Sequence, residues 1–273
     1  METIHRIHEL LSDAAILRHQ KDYGQATKKA EDALSLALSG QGSVERKEQA
    51  EIHAELGNIY FCDHLYPEAE NHFLRAISLI EQQFYSSHPL LIPVLDHLAR
   101  LYIAIERFKD AQKVSYRLLD IMKVALLGSD CWQIETIRMT AVVEMKLGNY
   151  KDAEALIARV LPIVDSATIG PAEEFFWLLA RIKEALGETE RAKENYEQAI
   201  KIFDSGRGIE NRRTRCLMDY ANFLQASGDE DNAYALRTRA LALQKRLTIE
   251  EMIDDLPNSS VYQRLAYPAS ILH

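Results

Sequence analysis

The sequence predicts an all-α protein built from repeated pairs of helices. In the stretch 50–81, apolar residues recur at helical spacing on both sides of a short break. Small residues that would open the second helix of each pair recur 39–43 positions apart, at Ala26, Ala69, Ala111, Ala153, Ala192 and Ala233. A steady period of this length is typical of helical repeat proteins, so about six helix-turn-helix units are expected.

The stretch 50–81 shows how one unit is built. Its first helix is predicted from a single apolar stripe formed by Ile52, Leu56, Ile59 and Tyr60. The break at 63–65 ends that helix, and Pro67 falls in the first turn of the next, where no backbone N–H is needed. The second stripe consists of Ala69, Phe73, Ala76, Ile77 and Ile80. Because each helix has only one apolar face, neighbouring units must stack to bury it.

One set of spaced residues resembles the signature of the tetratricopeptide repeat: Leu56-Gly57, Tyr60, Ala69, Phe73 and Ala76. The glycine and the alanines let two helix backbones approach closely, and the aromatic rings fill the space beside them. The resemblance implies a right-handed superhelical solenoid whose first helices line a concave groove for a protein or peptide.

The repeat period resembles the kinesin light chain type of tetratricopeptide repeat, because it exceeds the usual length of about 34 residues. The run Ser86-Ser87-His88-Pro89 looks like the link that precedes a first helix in that type. Members of that type often carry paired asparagines in this helix, whereas this chain has Asp96 and His97. The resemblance therefore implies the architecture, and not the cargo or the motor partner.

The predicted domain organisation is one array over 1–247, followed by a tail. The expected repeats are 7–40, 50–82, 92–124, 134–165, 171–204 and 211–246. The tail 248–273 opens with Thr248-Ile249-Glu250-Glu251, which has the spacing of a capping box. Since the last repeat of an array exposes an apolar face, this tail is expected to cap it. The alternative is that the tail folds back and occupies the groove.

Composition narrows the classes of function. The 273 residues carry a formal net charge of −9, and an acidic chain is a poor general binder of nucleic acid. Three widely spaced cysteines without a CxxC pair indicate neither a zinc site nor a disulfide framework. The N-terminus does not resemble a signal peptide, and no apolar run is long enough to insert into a membrane. A cytoplasmic protein is expected.

No chemistry for an enzyme is predicted. His5 and His8 lie three residues apart on a predicted helix, but no third ligand of matching spacing follows, so no metal site is expected. The motifs GxSxG, GxxxxGK[ST] and GxGxxG are absent from the sequence. No cofactor is expected.

The resemblance also implies which residues would contact a ligand, through their positions on the first helices. These are Asn58, Arg100, Arg138, Trp177, Arg181, Arg215 and Asn222. Arginine presents a fork of donors suited to a carboxylate, and asparagine can both donate to and accept from a peptide backbone. Two alternatives stay open: each arginine is paired with a neighbour such as Glu135, and Trp177 packs between helices. A chaperone-type carboxylate clamp is not expected, because Ala54 stands where that clamp has lysine.

The predicted function is a scaffold or adaptor that holds an extended peptide segment, including an acidic one, in the groove. One alternative is a regulatory domain that senses a peptide and changes conformation. Another is a structural protein that assembles with its own copies as a homo-oligomer.

Overall fold

The computed structural model describes residues 2–39, 44–125, 130–166, 172–205 and 210–245. Over these residues the chain forms twelve α-helices and no strand. In chain order they are α1 (Glu2–His19), α2 (Tyr23–Leu38), α3 (Arg46–Cys62), α4 (Tyr66–Gln83), α5 (Leu91–Ala104), α6 (Phe108–Ala125), α7 (Asp130–Lys146), α8 (Tyr150–Ser166), α9 (Ala172–Ala185), α10 (Thr189–Asp204), α11 (Glu210–Ala226) and α12 (Glu230–Gln244). The predicted all-α class with about six helix pairs is confirmed. The predicted capping tail 248–273 lies outside the described residues.

The chain divides into two compact units, Met1–Gly148 and Asn149–His273. In the first unit α1 packs on α2, α3 on α4 and α5 on α6, and successive pairs meet through α2–α3, α4–α5 and α6–α7 contacts. In the second unit α9 packs on α10 and α11 on α12, while α8 lies against α9 and α10 against α11. The predicted single array over 1–247 stays a prediction.

The anchor alanines lie at the centres of these helix contacts. All six are 0–2% exposed: Ala26, Ala69, Ala111, Ala153, Ala192 and Ala233. Gly57 has the tightest contact among the described glycines, since a Cβ placed there would lie 2.5 Å from Cε1 of Phe73. Phe73 is itself fully buried. The small and large residues of the repeat signature therefore pack directly against each other across the α3–α4 pair.

The turn between the two helices of each predicted repeat contains one residue in the left-handed backbone region. These residues are Lys21, His64, Glu106, Gly148, Gly187 and Gly228, with φ between +59° and +87°. Each stands five positions before its anchor alanine. In repeat two, the N–H of Leu65 then donates to the carbonyl of Tyr60 at 2.9 Å, the bond that closes a Schellman motif. Pro67 follows in the first turn of α4, as predicted.

Candidate functional site

In the first unit, the predicted contact residue Asn58 lies beside an ion pair that joins α1 to α3. Arg18 Nε donates to Glu55 Oε1 at 2.8 Å, and Asn58 Nδ2 donates to Glu55 Oε2 at 3.3 Å. The Oδ1 atom of Asn58 is buried and accepts no hydrogen bond. The amide of Asn58 is thus directed into the protein, and a peptide would reach that oxygen only after the helices moved.

Arg100 and Arg138 lie in a second set of ion pairs, which joins α5 to α7. Arg100 Nε donates to Asp96 Oδ2 at 2.8 Å, and its Nη2 lies 3.6 Å from Glu135 Oε1. Arg138 Nε donates to Glu135 Oε2 at 2.7 Å. The Arg100 side chain is only 8% exposed. These arginines are therefore already held by carboxylates of their own helices and of the neighbouring helix.

His97 separates the two sets of ion pairs. Its ring stacks on Phe73 with 6.0 Å between centroids and 6° between ring planes. Burial lowers the pKa of His97, and the nearby Asp96 carboxylate opposes that shift. The imidazole is consequently neutral near pH 7. The charges that act on it, Arg18 and Arg100 with Glu55 and Asp96, pair with each other.

In the second unit, α9 and α11 present a more accessible surface. Trp177 Nε1 on α9 donates to Asp219 Oδ2 on α11 at 3.0 Å. Arg181 Nε lies 3.7 Å from the same oxygen, which is longer than a hydrogen bond. The side chains of Arg181 and Asp219 are 42% and 37% exposed. One carboxylate therefore accepts a hydrogen bond from the indole and lies beside the guanidinium at the surface.

Two further predicted residues share this surface with Asp219. Arg215, Asp219 and Asn222 are spaced by four and three residues on α11, so they form one stripe of that helix. Both Arg215 and Asn222 are exposed. We call the set Trp177, Arg181, Arg215, Asp219 and Asn222 the α9–α11 face. It brings together four of the seven residues that the sequence predicted.

Buried aromatic rings support the α9–α11 face from behind. Tyr196 of α10 is fully buried, donates through its hydroxyl to Glu184 Oε2 at 2.9 Å, and stacks on Tyr220 with centroids 5.0 Å apart. Burial, aided by the Glu184 carboxylate, raises the pKa of Tyr196. The tyrosine thus stays a neutral donor that fixes α9 against α10.

Sequence reasoning missed two partners of this face. Asp219 accepts a hydrogen bond from Trp177 and lies 3.7 Å from Arg181, and Arg237 of α12 donates to Asn222 Oδ1 at 2.9 Å. The position of Asp219, four residues after Arg215, was a signal available in the sequence. No comparable signal existed for Arg237, because it comes from the second helix of the repeat.

Across the described ranges, no helix combines the length and apolarity needed to cross a bilayer. Within the same residues, His, Cys, Asp and Glu side chains form no group of three or more that could hold a metal ion.

These helix pairs and their small-residue contacts define an all-α repeat protein. Residues 48–123 match one tetratricopeptide repeat family, and residues 173–204 match a second. Both stretches are thus similar to tetratricopeptide repeats, and this fold is typically a non-catalytic module for protein interaction. Among curated proteins, no sequence matches this chain.

Several solved structures share the fold at low sequence identity. One is a kinesin light chain protein with nearly identical TPR-like repeats from Podospora anserina, with 18% identity and a TM-score of 0.66 over 76% of this chain and 99% of that one. The apo form of RapI has 10% sequence identity and a TM-score of 0.67, and the match covers 88% of this chain and 97% of that one. Aspartyl phosphate phosphatase F from Bacillus subtilis has 13% identity and a TM-score of 0.63, and the match covers 92% of this chain and 62% of that one. These likenesses establish the solenoid-type repeat fold alone.

Proposed function

We propose that this chain is a protein-interaction scaffold that binds an extended peptide segment on the α9–α11 face. The observation that supports this most directly is the Trp177–Asp219–Arg181 arrangement. It places a partly buried indole, held by its hydrogen bond to Asp219, next to an exposed guanidinium before any ligand arrives. Tryptophan and arginine are the residue types that most often dominate binding energy at protein interfaces.

Each residue of the face has a separate task in this proposal. The indole of Trp177 packs against an apolar side chain of the peptide. Arg181 pairs with a peptide carboxylate, since its contact to Asp219 is long and its side chain is 42% exposed. Arg215 on α11 provides a second cation, and Asn222 donates through its Nδ2 to the peptide backbone, since its Oδ1 already accepts from Arg237. A peptide with an acidic and an apolar residue therefore fits best, at about micromolar affinity.

In the first unit, peptide contact by Asn58, Arg100 and Arg138 stays a prediction. Their polar groups bond their own neighbours, so a peptide would have to displace those bonds. The proposal further assigns the scaffold to the cytoplasm, where reduced thiols are the rule. The two described cysteines, Cys62 and Cys216, are not joined to each other in a disulfide.

The test is a selection of random twelve-residue peptides on the purified full-length protein. Affinities of the selected peptides are then measured by fluorescence anisotropy. We expect acidic residues to be enriched, and we expect Arg181→Gln combined with Arg215→Gln to weaken binding at least tenfold. Arg191→Gln is the matched control, because Arg191 is an exposed arginine of the same unit on α10, outside the face.

Equal affinity of the double variant and the Arg191→Gln control would refute the proposal. A direct readout comes from Trp177, since the chain has two tryptophans and Trp132→Phe leaves one. Bound peptide should shift its emission. Peptide sensing by conformational change and self-assembly stay predictions, to be tested by solution scattering with peptide and by mass measured at several protein concentrations.

A further inference from the structure

Two histidines outside the α9–α11 face meet between the helices of repeat two. His53 of α3 and His72 of α4 have their Nδ1 atoms 3.0 Å apart. Their ring centroids are 5.1 Å apart, and the ring planes are inclined by 42°. Both side chains are half-buried, so solvent reaches the pair without helix movement. The two residues are 19 positions apart and come from different helices, so no sequence motif marks them.

Both imidazoles are held in the neutral form. Burial lowers the pKa of His53 to about 4, assisted by the neighbouring His72 and by Arg75. Burial also lowers the pKa of His72, while the carboxylate of Glu31 opposes that shift. Neutral imidazole is the form that binds metal ions, and a pair of such rings with adjacent nitrogens is a chelating arrangement.

We propose that His53 and His72 form a bidentate imidazole site for a divalent transition-metal ion. An ion with bonds of about 2.0–2.1 Å to both nitrogens needs them about 2.9–3.3 Å apart, and the two Nδ1 atoms at 3.0 Å reach it once the rings turn toward the ion. Cu²⁺ is the probe of choice, because imidazole suits it and it binds such sites most tightly among the first-row divalent metals.

The surroundings limit the site to two protein nitrogens. In the described residues no third histidine, cysteine or carboxylate completes a group of three, so water fills the remaining positions. The centroid of the Tyr60 ring lies 5.3 Å from that of His72. The Glu31 carboxylate favours a cation beside His72, whereas Arg75 disfavours a cation beside His53. Coordination replaces the Nδ1–H···Nδ1 hydrogen bond, and the donor ring moves its proton to Nε2. Metal binding therefore releases no net proton.

The test is a titration of the full-length protein with Cu²⁺ buffered by glycine, followed by calorimetry and electron paramagnetic resonance. His5→Gln with His8→Gln serves as the parent, because these N-terminal histidines could bind copper independently. We expect one Cu²⁺ per chain, a signal from two imidazole nitrogens, and a rise of several degrees in Tm. The rise is expected because the metal links α3 to α4.

In the same parent, His53→Gln or His72→Gln should each weaken copper binding at least tenfold and abolish the rise in Tm. His64→Gln, at an exposed histidine of the same helix pair, should change neither. Circular dichroism without metal checks that each variant is folded. The proposal is overturned if copper binds the glutamine variants as tightly as the parent, or if the folded parent shows fewer than two bound nitrogens.

Discussion

Replacing Gly57 with alanine should destabilise the first unit by about 1–2 kcal/mol. An alanine Cβ at this position would lie 2.5 Å from Cε1 and 2.6 Å from Cδ1 of Phe73. Carbon atoms in contact are normally about 3.5–4.0 Å apart. The ring has little room to retreat, because it is fully buried and stacks on His97. The added methyl group must therefore displace α3 from α4.

The magnitude follows from two opposing contributions. Overpacking a core costs about 1–3 kcal/mol, and a contact about 1 Å too short points to the upper part of that range. Alanine is a better helix former than glycine by about 1 kcal/mol, which offsets part of the cost because Gly57 is inside α3. The difference is the expected net loss of about 1–2 kcal/mol.

Urea unfolding followed by circular dichroism at 222 nm measures this loss, since helix dominates the signal. Gly24→Ala in α2 is the control: the nearest atom to its Cβ would be 4.0 Å away, so stability should stay equal or rise slightly. In the Phe73→Leu background the Gly57→Ala change should cost less, because the ring is gone. A Gly57→Ala protein as stable as the wild type would refute the packing argument.

Three further predictions follow from the turns, the histidines and a buried cation. His64→Gly should stabilise the protein by about 0.5–1 kcal/mol in urea unfolding, because glycine adopts the left-handed backbone without strain, and Gly228→Ala should destabilise it by about as much. The pKa of His53 is about 4 when folded and about 6.5 when unfolded, so its contribution is complete above pH 6.5 and is lost as the pH falls toward 4. Allowing for solvent screening, this loss is about 1–2 kcal/mol, and a series of urea midpoints between pH 7.5 and 4.5 should be less steep for His53→Gln. Lys183→Met should lower stability by about 1–2 kcal/mol in the same assay, because the buried ammonium lies 2.7 Å from Glu154 and its loss leaves that carboxylate without its cation. A midpoint unchanged within error in any of these cases would contradict the corresponding argument.

Periodicity was sufficient to predict the helix pairs. The anchor alanines gave the register of the second helices, because a small side chain at a helix crossing is a steric requirement that residue type reveals directly. Only three of the six left-handed turn residues could be predicted from residue type. Gly148, Gly187 and Gly228 are typical of such turns, whereas Lys21, His64 and Glu106 adopt the same conformation although their residue types rarely do. All six stand five positions before an anchor alanine, and this spacing was the signal that could have predicted them.

The candidate site was harder to predict. Whether a polar side chain is accessible to a ligand depends on its neighbours from other helices, and periodicity does not reveal those neighbours. The sequence placed Asn58 on the correct helix, but the burial of its Oδ1 depends on how α3 packs within the unit. Likewise His53 and His72 meet only because α3 and α4 fold onto each other. Contacts within one helix can be inferred from spacing, and contacts between helices require the structure.

The two sets of arginines differ in what a ligand must displace. Arg100 is bonded at 2.8 Å to Asp96, whose side chain is 7% exposed, so a ligand that captured Arg100 would leave a buried carboxylate poorly compensated. Breaking a buried pair in this way costs about 3–5 kcal/mol, more than a third of the binding energy of a micromolar peptide. A ligand that captures Arg181 breaks only a 3.7 Å contact, and Asp219 keeps its bond from Trp177 and its access to water. Arginine at equivalent repeat positions therefore joins helices through buried ion pairs in the first unit, whereas in the second unit its contact is long and exposed.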